Sequence, residues 1–160
     1  MSQEEASSAP LEREANRVIE EARMVLPGIQ ALFGFQLVAV FNNRFETALS
    51  PSEQTLHLAA LVLVTLAIVL IMAPAAYHRQ AEPGRVSRYF VDLASNLLTW
   101  ALAPLLLGIV LDVYLVSHII LKNTGASITI ASALFLILVA VWFIFPRVKA
   151  LRRAGTRSTR

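Results

Sequence analysis

Apolar residues dominate four long stretches of the chain: Met24 to Asn43 (MVLPGIQALFGFQLVAVFNN), Leu56 to Tyr77, most of Tyr89 to Leu121, and Ser127 to Phe145. A helix crossing the roughly 30 Å hydrocarbon layer of a bilayer needs about 20 such residues, each adding about 1.5 Å. The pattern therefore predicts an all-α fold, an integral membrane bundle of four transmembrane helices over about 24–43, 56–77, 100–121 and 127–145. The fourth span is expected to stop at Phe145. Pro146 lacks the N–H that continues a helix, and Arg147 resists burial. Only Lys122 to Ala126 (KNTGA) separates the last two spans. Gly125 as C-cap and Ser127 as N-cap predict a tight antiparallel hairpin there.

Outside the spans the period changes. Leu11, Ala15, Val18/Ile19, Ala22 and Val25 recur at helical spacing, with Glu12, Arg13, Asn16, Arg17, Glu20 and Glu21 around the rest of the wheel. This predicts an N-terminal cytoplasmic amphipathic helix within residues 1–23, lying on the membrane or packed on a partner. Val86, Tyr89/Phe90, Leu93 and Leu97 repeat the pattern before the third span. Residues 1–10 and the last several read as disordered, and 146–160 as a basic cytoplasmic tail. The acidic-rich first 23 residues do not read as a signal peptide, which would place a basic segment before a short apolar core.

Composition supports the bilayer as solvent. The 160 residues are 56% hydrophobic and 16% charged, with mean hydropathy +0.61. Soluble domains carry about 25% charged residues. Without cysteine there is no disulfide framework. Charge then sets orientation. Twelve of the 14 Lys and Arg residues lie before the first span, between the second and third, or after the fourth. Arg44 and Lys122 lie on the other side. The positive-inside rule puts both termini in the cytoplasm.

Asp112 is the one acidic or basic residue well inside a span. The hairpin is so short that the third span reaches the outer surface near Leu121, and counting back about 20 residues puts its inner boundary near Trp100 to Leu102. Trp142 then sits level with Trp100, as an aromatic belt requires. Asp112 falls near the midplane, where a carboxylate costs about 2.5–3.5 kcal/mol. Ala94, Ala101, Pro104, Gly108 and Asp112 share one face, whose small residues predict close packing on another helix. A polar cluster of Asp112, Gln36, Ser132 and Thr65, open towards the outside, would bind a proton or cation. The competing reading is that Asp112 only ties helices together.

The other chemistry is sparser. Glu53 and His57 are four apart, and His118 lies on the same side; hydrated interfacial histidines account for these residues more simply than an outer metal site, and no metal or other cofactor is expected. Asp112 and His118, about 240° apart on one helix, do not form an intrahelical relay. Arg147, Lys149, Arg152 and Arg153 suit contact with anionic lipid and require no nucleic acid. No HExxH, G-x-S-x-G or phosphate-binding glycine loop occurs, and the chain reads as non-enzymatic.

Two segments, LPGIQALFGFQL at Leu26 to Leu37 and APAAYHR at Ala73 to Arg79, resemble a family of small uncharacterised bacterial four-helix membrane proteins, a domain of unknown function. The resemblance covers nearly the whole chain. It implies a bacterial inner membrane and weight on Pro27, Gly28, Gln30, Pro74, Tyr77, His78 and Arg79. Some members carry the label sodium:proton antiporter. Trp100, Trp142, Tyr77, His78 and Arg79 read physically as interfacial anchors. The leading expectation is a small accessory or interaction subunit, partnered by lipid and by a homo-oligomer or another membrane protein. The alternative is monovalent cation or proton transport (antiport) through Asp112 in an oligomer.

Overall fold

A computed structural model describes residues 3–83 and 86–149, and these are almost wholly helical. Arg85 and the end of the basic tail, with Arg152, Arg153, Arg157 and Arg160, lie outside the described residues. The elements are α1 (Gln3–Val40), the single turn α2 (Phe45–Ala48), α3 (Pro51–Ala81), α4 (Arg88–Leu121) and α5 (Thr124–Val139), which passes into a π-turn at Ala140–Ile144. Four of these helices are long and apolar enough to cross a membrane. Among the described residues there is no strand.

α3 and α4 form the centre, antiparallel and closely packed, with α1 against both and α5 against α4. Their contact is built from small residues. Ala60, Ala67 and Pro74 of α3 and Ala94, Ala101, Pro104 and Gly108 of α4 are all buried, as the small face of the third span predicts. A Cβ at Gly108 would lie 2.8 Å from Val64 Cγ2 and 3.2 Å from the Ala60 carbonyl oxygen. Glycine is required there because the two helices approach so closely.

α1 runs parallel to α4 in a fixed register. Gln36 bonds Asp112 across 76 positions. The same offset relates Ile29 to Leu105 within one buried cluster and Ala15 to Val91 within another. Ala15, Ala22, Ile29 and Gln36 recur every seven residues, as do Val91, Leu98, Leu105 and Asp112. A seven-residue recurrence keeps one stripe facing the neighbouring helix along its whole length. The amphipathic segment therefore packs on its own chain, against the amphipathic start of α4, and Glu14 accepts from Arg88 Nη1 at 2.9 Å. It is continuous with the first span as one 38-residue helix. Residues 3–10, read as disordered, belong to that helix.

Helix ends differ from the sequence reading in three places. α1 ends at Val40, so Asn43 falls in the following turn and shares no helical face with Gln36. The α4–α5 turn is tighter than expected. Lys122 is the C-cap, in left-handed conformation at φ 49°, and the Asn123 side chain caps α5 by accepting from the Ala126 N–H. Ser127 is instead buried, donating to the Asn123 carbonyl at 2.8 Å. Pro146 does not end the fourth helix, which continues to Lys149. The π-turn just before it, in which Phe145 N–H reaches the Ala140 carbonyl, widens the backbone where the proline ring would meet the carbonyl of Trp142.

The bundle thus has a hairpin end, with turns at 41–50 and 122–123, and a connection end at residues 82–87. Glu82 links the end of α3 to the start of α4, accepting from Ser87 Oγ at 2.7 Å and from Tyr77 OH at 3.3 Å. Trp142 packs against the cluster that holds Ala101, the residue after Trp100.

Candidate proton site at Gln36, His57 and Asp112

Three helices each deliver one polar side chain to the same point. Gln36, on the seven-residue stripe of α1, is 4% exposed, and its Nε2 donates to Asp112 Oδ2 at 2.7 Å. His57 leads the buried row His57, Val64, Ile71 of α3. Its Nε2 lies 2.9 Å from the main-chain oxygen of Gln36, and its Nδ1 lies 3.9 Å from Asp112 Oδ1. Phe45 packs edge-on against the imidazole at 5.3 Å. One residue of α1 therefore holds both others, Asp112 by its side chain and His57 by its backbone.

This geometry fixes where protons can be. A carbonyl oxygen only accepts, so His57 Nε2 carries a hydrogen, and the neutral ring then presents the Nδ1 lone pair to Asp112. The Gln36 amide occupies Oδ2. An additional proton has one place between them, the gap from Oδ1 to Nδ1. At 3.9 Å the gap exceeds a hydrogen bond, so a direct bond forms only as the two groups close by about 1 Å. Without that proton, a carboxylate faces an imidazole lone pair.

The group lies on the wall of a cavity of about 460 Å³ at the hairpin end, lined also by Asn42, Arg44 and Leu115. Beneath it Ile29, Val64, Ala67 and Leu105 close the bundle with a buried apolar layer. Gln36 Oε1 is buried without a hydrogen-bond partner, leaving one acceptor free beside the carboxylate.

Of the four expected site residues, the structure brings Asp112 and Gln36 together and leaves two apart. Ser132 is exposed and belongs to a shallow pocket with Val110, Leu111 and Tyr114. α5 packs on the side of α4 facing away from α1 and α3, so Ser132 cannot reach the carboxylate. Thr65 lies two turns beyond His57 and donates to its own Leu61 carbonyl at 2.8 Å. His57 takes the expected place of these hydroxyls. The expectation of hydrated interfacial histidines fails at His57, which is buried and turned inward because α3 packs it against α1, while Glu53 pairs with His118 Nε2 at 3.2 Å. Among the described residues no three His, Cys, Asp or Glu side chains converge on a metal position.

The interfacial residues divide likewise. Tyr77 and His78 pack on Phe90, the Tyr77 ring stacked at 6.5 Å and the His78 ring edge-on at 4.9 Å, so they join α3 to α4. Trp100 is exposed, as is Arg79. Arg147 and Lys149 lie over the Phe143 and Phe145 rings at 5.7 and 5.2 Å.

No curated protein and no solved structure matches the chain. A family model does, over residues 4–146, spanning the helices that carry Gln36, His57 and Asp112. The chain belongs to the family of unknown function DUF6328.

Proposed function

We propose that this is a non-enzymatic, multi-pass protein of the bacterial inner membrane, both termini cytoplasmic, that takes up and releases a proton at Asp112 and His57 from the outer side. The observation that carries the reading is the opposition of Asp112 Oδ1 and His57 Nδ1 at 3.9 Å, on the wall of the cavity that Asn42 and Arg44 also line. Proton entry converts a repulsive contact between α3 and α4 into an attractive one, and so couples occupancy to helix position. A monovalent cation is the competing occupant, with Gln36 Oε1 and the carboxylate as oxygen ligands. Transport across the apolar layer would proceed in a homo-oligomer, since four helices make a thin wall. The test is purified protein in proteoliposomes with an internal pH-sensitive dye. Wild type gives flux, cation-dependent if exchange occurs, and Asp112→Asn abolishes it. Well-reconstituted wild type without flux would rule transport out.

A second reading, an accessory subunit, is favoured by α5, on which Ser127 and Ala131 are the buried residues. It predicts a stoichiometric membrane partner retained through mild detergent. A protein that purifies alone and still conducts protons counts against it.

A further inference from the structure

At the connection end, α1, α3 and α4 enclose a groove of about 540 Å³ whose walls change character along its length. Leu26, Ile71 and Met72 line the part nearest the middle of the bundle, level with Ala101. Arg23, His78 and Arg79 line the groove as well, with Arg79 and His78 towards residues 82–87, and no acidic side chain is among the lining residues. Neither Arg23 nor Arg79 has an ion pair among the described residues, whereas the neighbouring Arg88 has two acidic partners. Planar guanidinium forks suit phosphate oxygens, and the apolar wall beside them suits an acyl chain. In a bilayer bounded near Trp100, the basic part of the groove lies at headgroup depth and the apolar part at the start of the acyl region.

We propose that this groove holds an anionic phospholipid, its phosphate between Arg23 and Arg79 and an acyl chain running along Leu26, Ile71 and Met72. Charge complementarity selects an anionic over a zwitterionic headgroup, since the groove offers cations and no carboxylate for a choline or ethanolamine. The site is separate from the basic tail and from the Asp112 cavity. It rests on the membrane-spanning reading and not on proton uptake.

The test uses the full-length protein in mild detergent, titrated with phosphatidylglycerol or phosphatidylcholine of identical chains, with lipid retention by native mass spectrometry and melting temperature as readouts. The expected result is retention of phosphatidylglycerol and a concentration-dependent rise in melting temperature, with little response to phosphatidylcholine. Arg23→Gln with Arg79→Gln weakens the phosphatidylglycerol response roughly thirtyfold, while Lys122→Gln, at the exposed hairpin end, retains it. Both arginines are exposed, so the variant folds, which its unliganded melting temperature verifies. Equal responses to the two lipids, or an undiminished response in the Arg23/Arg79 variant, would overturn the proposal.

Discussion

A methyl group at Gly108 would meet Val64 Cγ2 at 2.8 Å and the Ala60 carbonyl at 3.2 Å, whereas one at Gly28 has nothing within 4 Å. The two glycines therefore answer to different constraints, although both lie in helices. Gly108→Ala forces α3 and α4 apart and is expected to cost about 1–3 kcal/mol, as overpacking does. Adding Val64→Ala, which removes the nearest methyl group, recovers part of that loss. Gly28→Ala is expected to stay within about 0.5 kcal/mol of wild type, because an exposed helical site gains propensity and meets no neighbour. Thermal melts of the purified variants in one detergent decide both. The weight that the family resemblance puts on Gly28 then has no packing cause within a single chain.

Among the elements, the parallel pairing of α1 with α4 is the least expected from sequence. Periodicity predicted both amphipathic segments, and small residues predicted the close face of the third span. Neither pattern says which helix lies opposite. Asp112 and Gln36 were legible because a carboxylate at bilayer depth requires a partner and Gln36 was the amide at similar depth. His57 was not, since its proximity to Glu53 in sequence suggested a surface pair, and its true neighbours come from the angle at which α3 meets α1. Ser132 and Thr65 failed for the same reason, as depth alone does not tell which side of a helix a neighbour occupies. The pairing has a test at Ala15, which is 1% exposed and clusters with Phe90, Val91 and Ala94. Ala15→Leu has no room and is expected to lift the start of α1 from α4, so that the helix frays and the chain is cut by trypsin at Arg13 and Arg17, which are already exposed. Glu14→Gln removes a solvent-exposed ion pair worth about 0–1 kcal/mol and leaves the cleavage rate near wild type. Equal cleavage of wild type and Ala15→Leu would mean that α1 does not depend on this contact.

At the scale of the molecule, helix length exceeds membrane thickness. α4 has 34 residues, about 51 Å of helix against roughly 30 Å of hydrocarbon. The part from Trp100 to Leu121 accounts for about 31 Å, so with a boundary at Trp100 the segment before it, with the start of α1 and the end of α3, is expected at headgroup depth and beyond. Asp112 then lies about 18 Å along the helix from the Trp100 level and about 13 Å from Leu121. This register decides whether its carboxylate is held in hydrocarbon or bathed in headgroups, and three exposed positions resolve it. The native chain has no cysteine, so single cysteines report without background. Asn96→Cys is expected to react with a membrane-impermeant maleimide in inverted vesicles and not in spheroplasts, and Asn123→Cys the reverse. Leu107→Cys, 44% exposed within the bundle surface, is expected to react in neither, because lipid covers it, and to react fully once the protein is unfolded in detergent. Labelling of Leu107→Cys alongside Asn96→Cys in intact inverted vesicles would move the boundary outward by about two turns. Asp112 would then lie within about 8 Å of the inner boundary, in reach of headgroup water, where a carboxylate needs no proton and no partner.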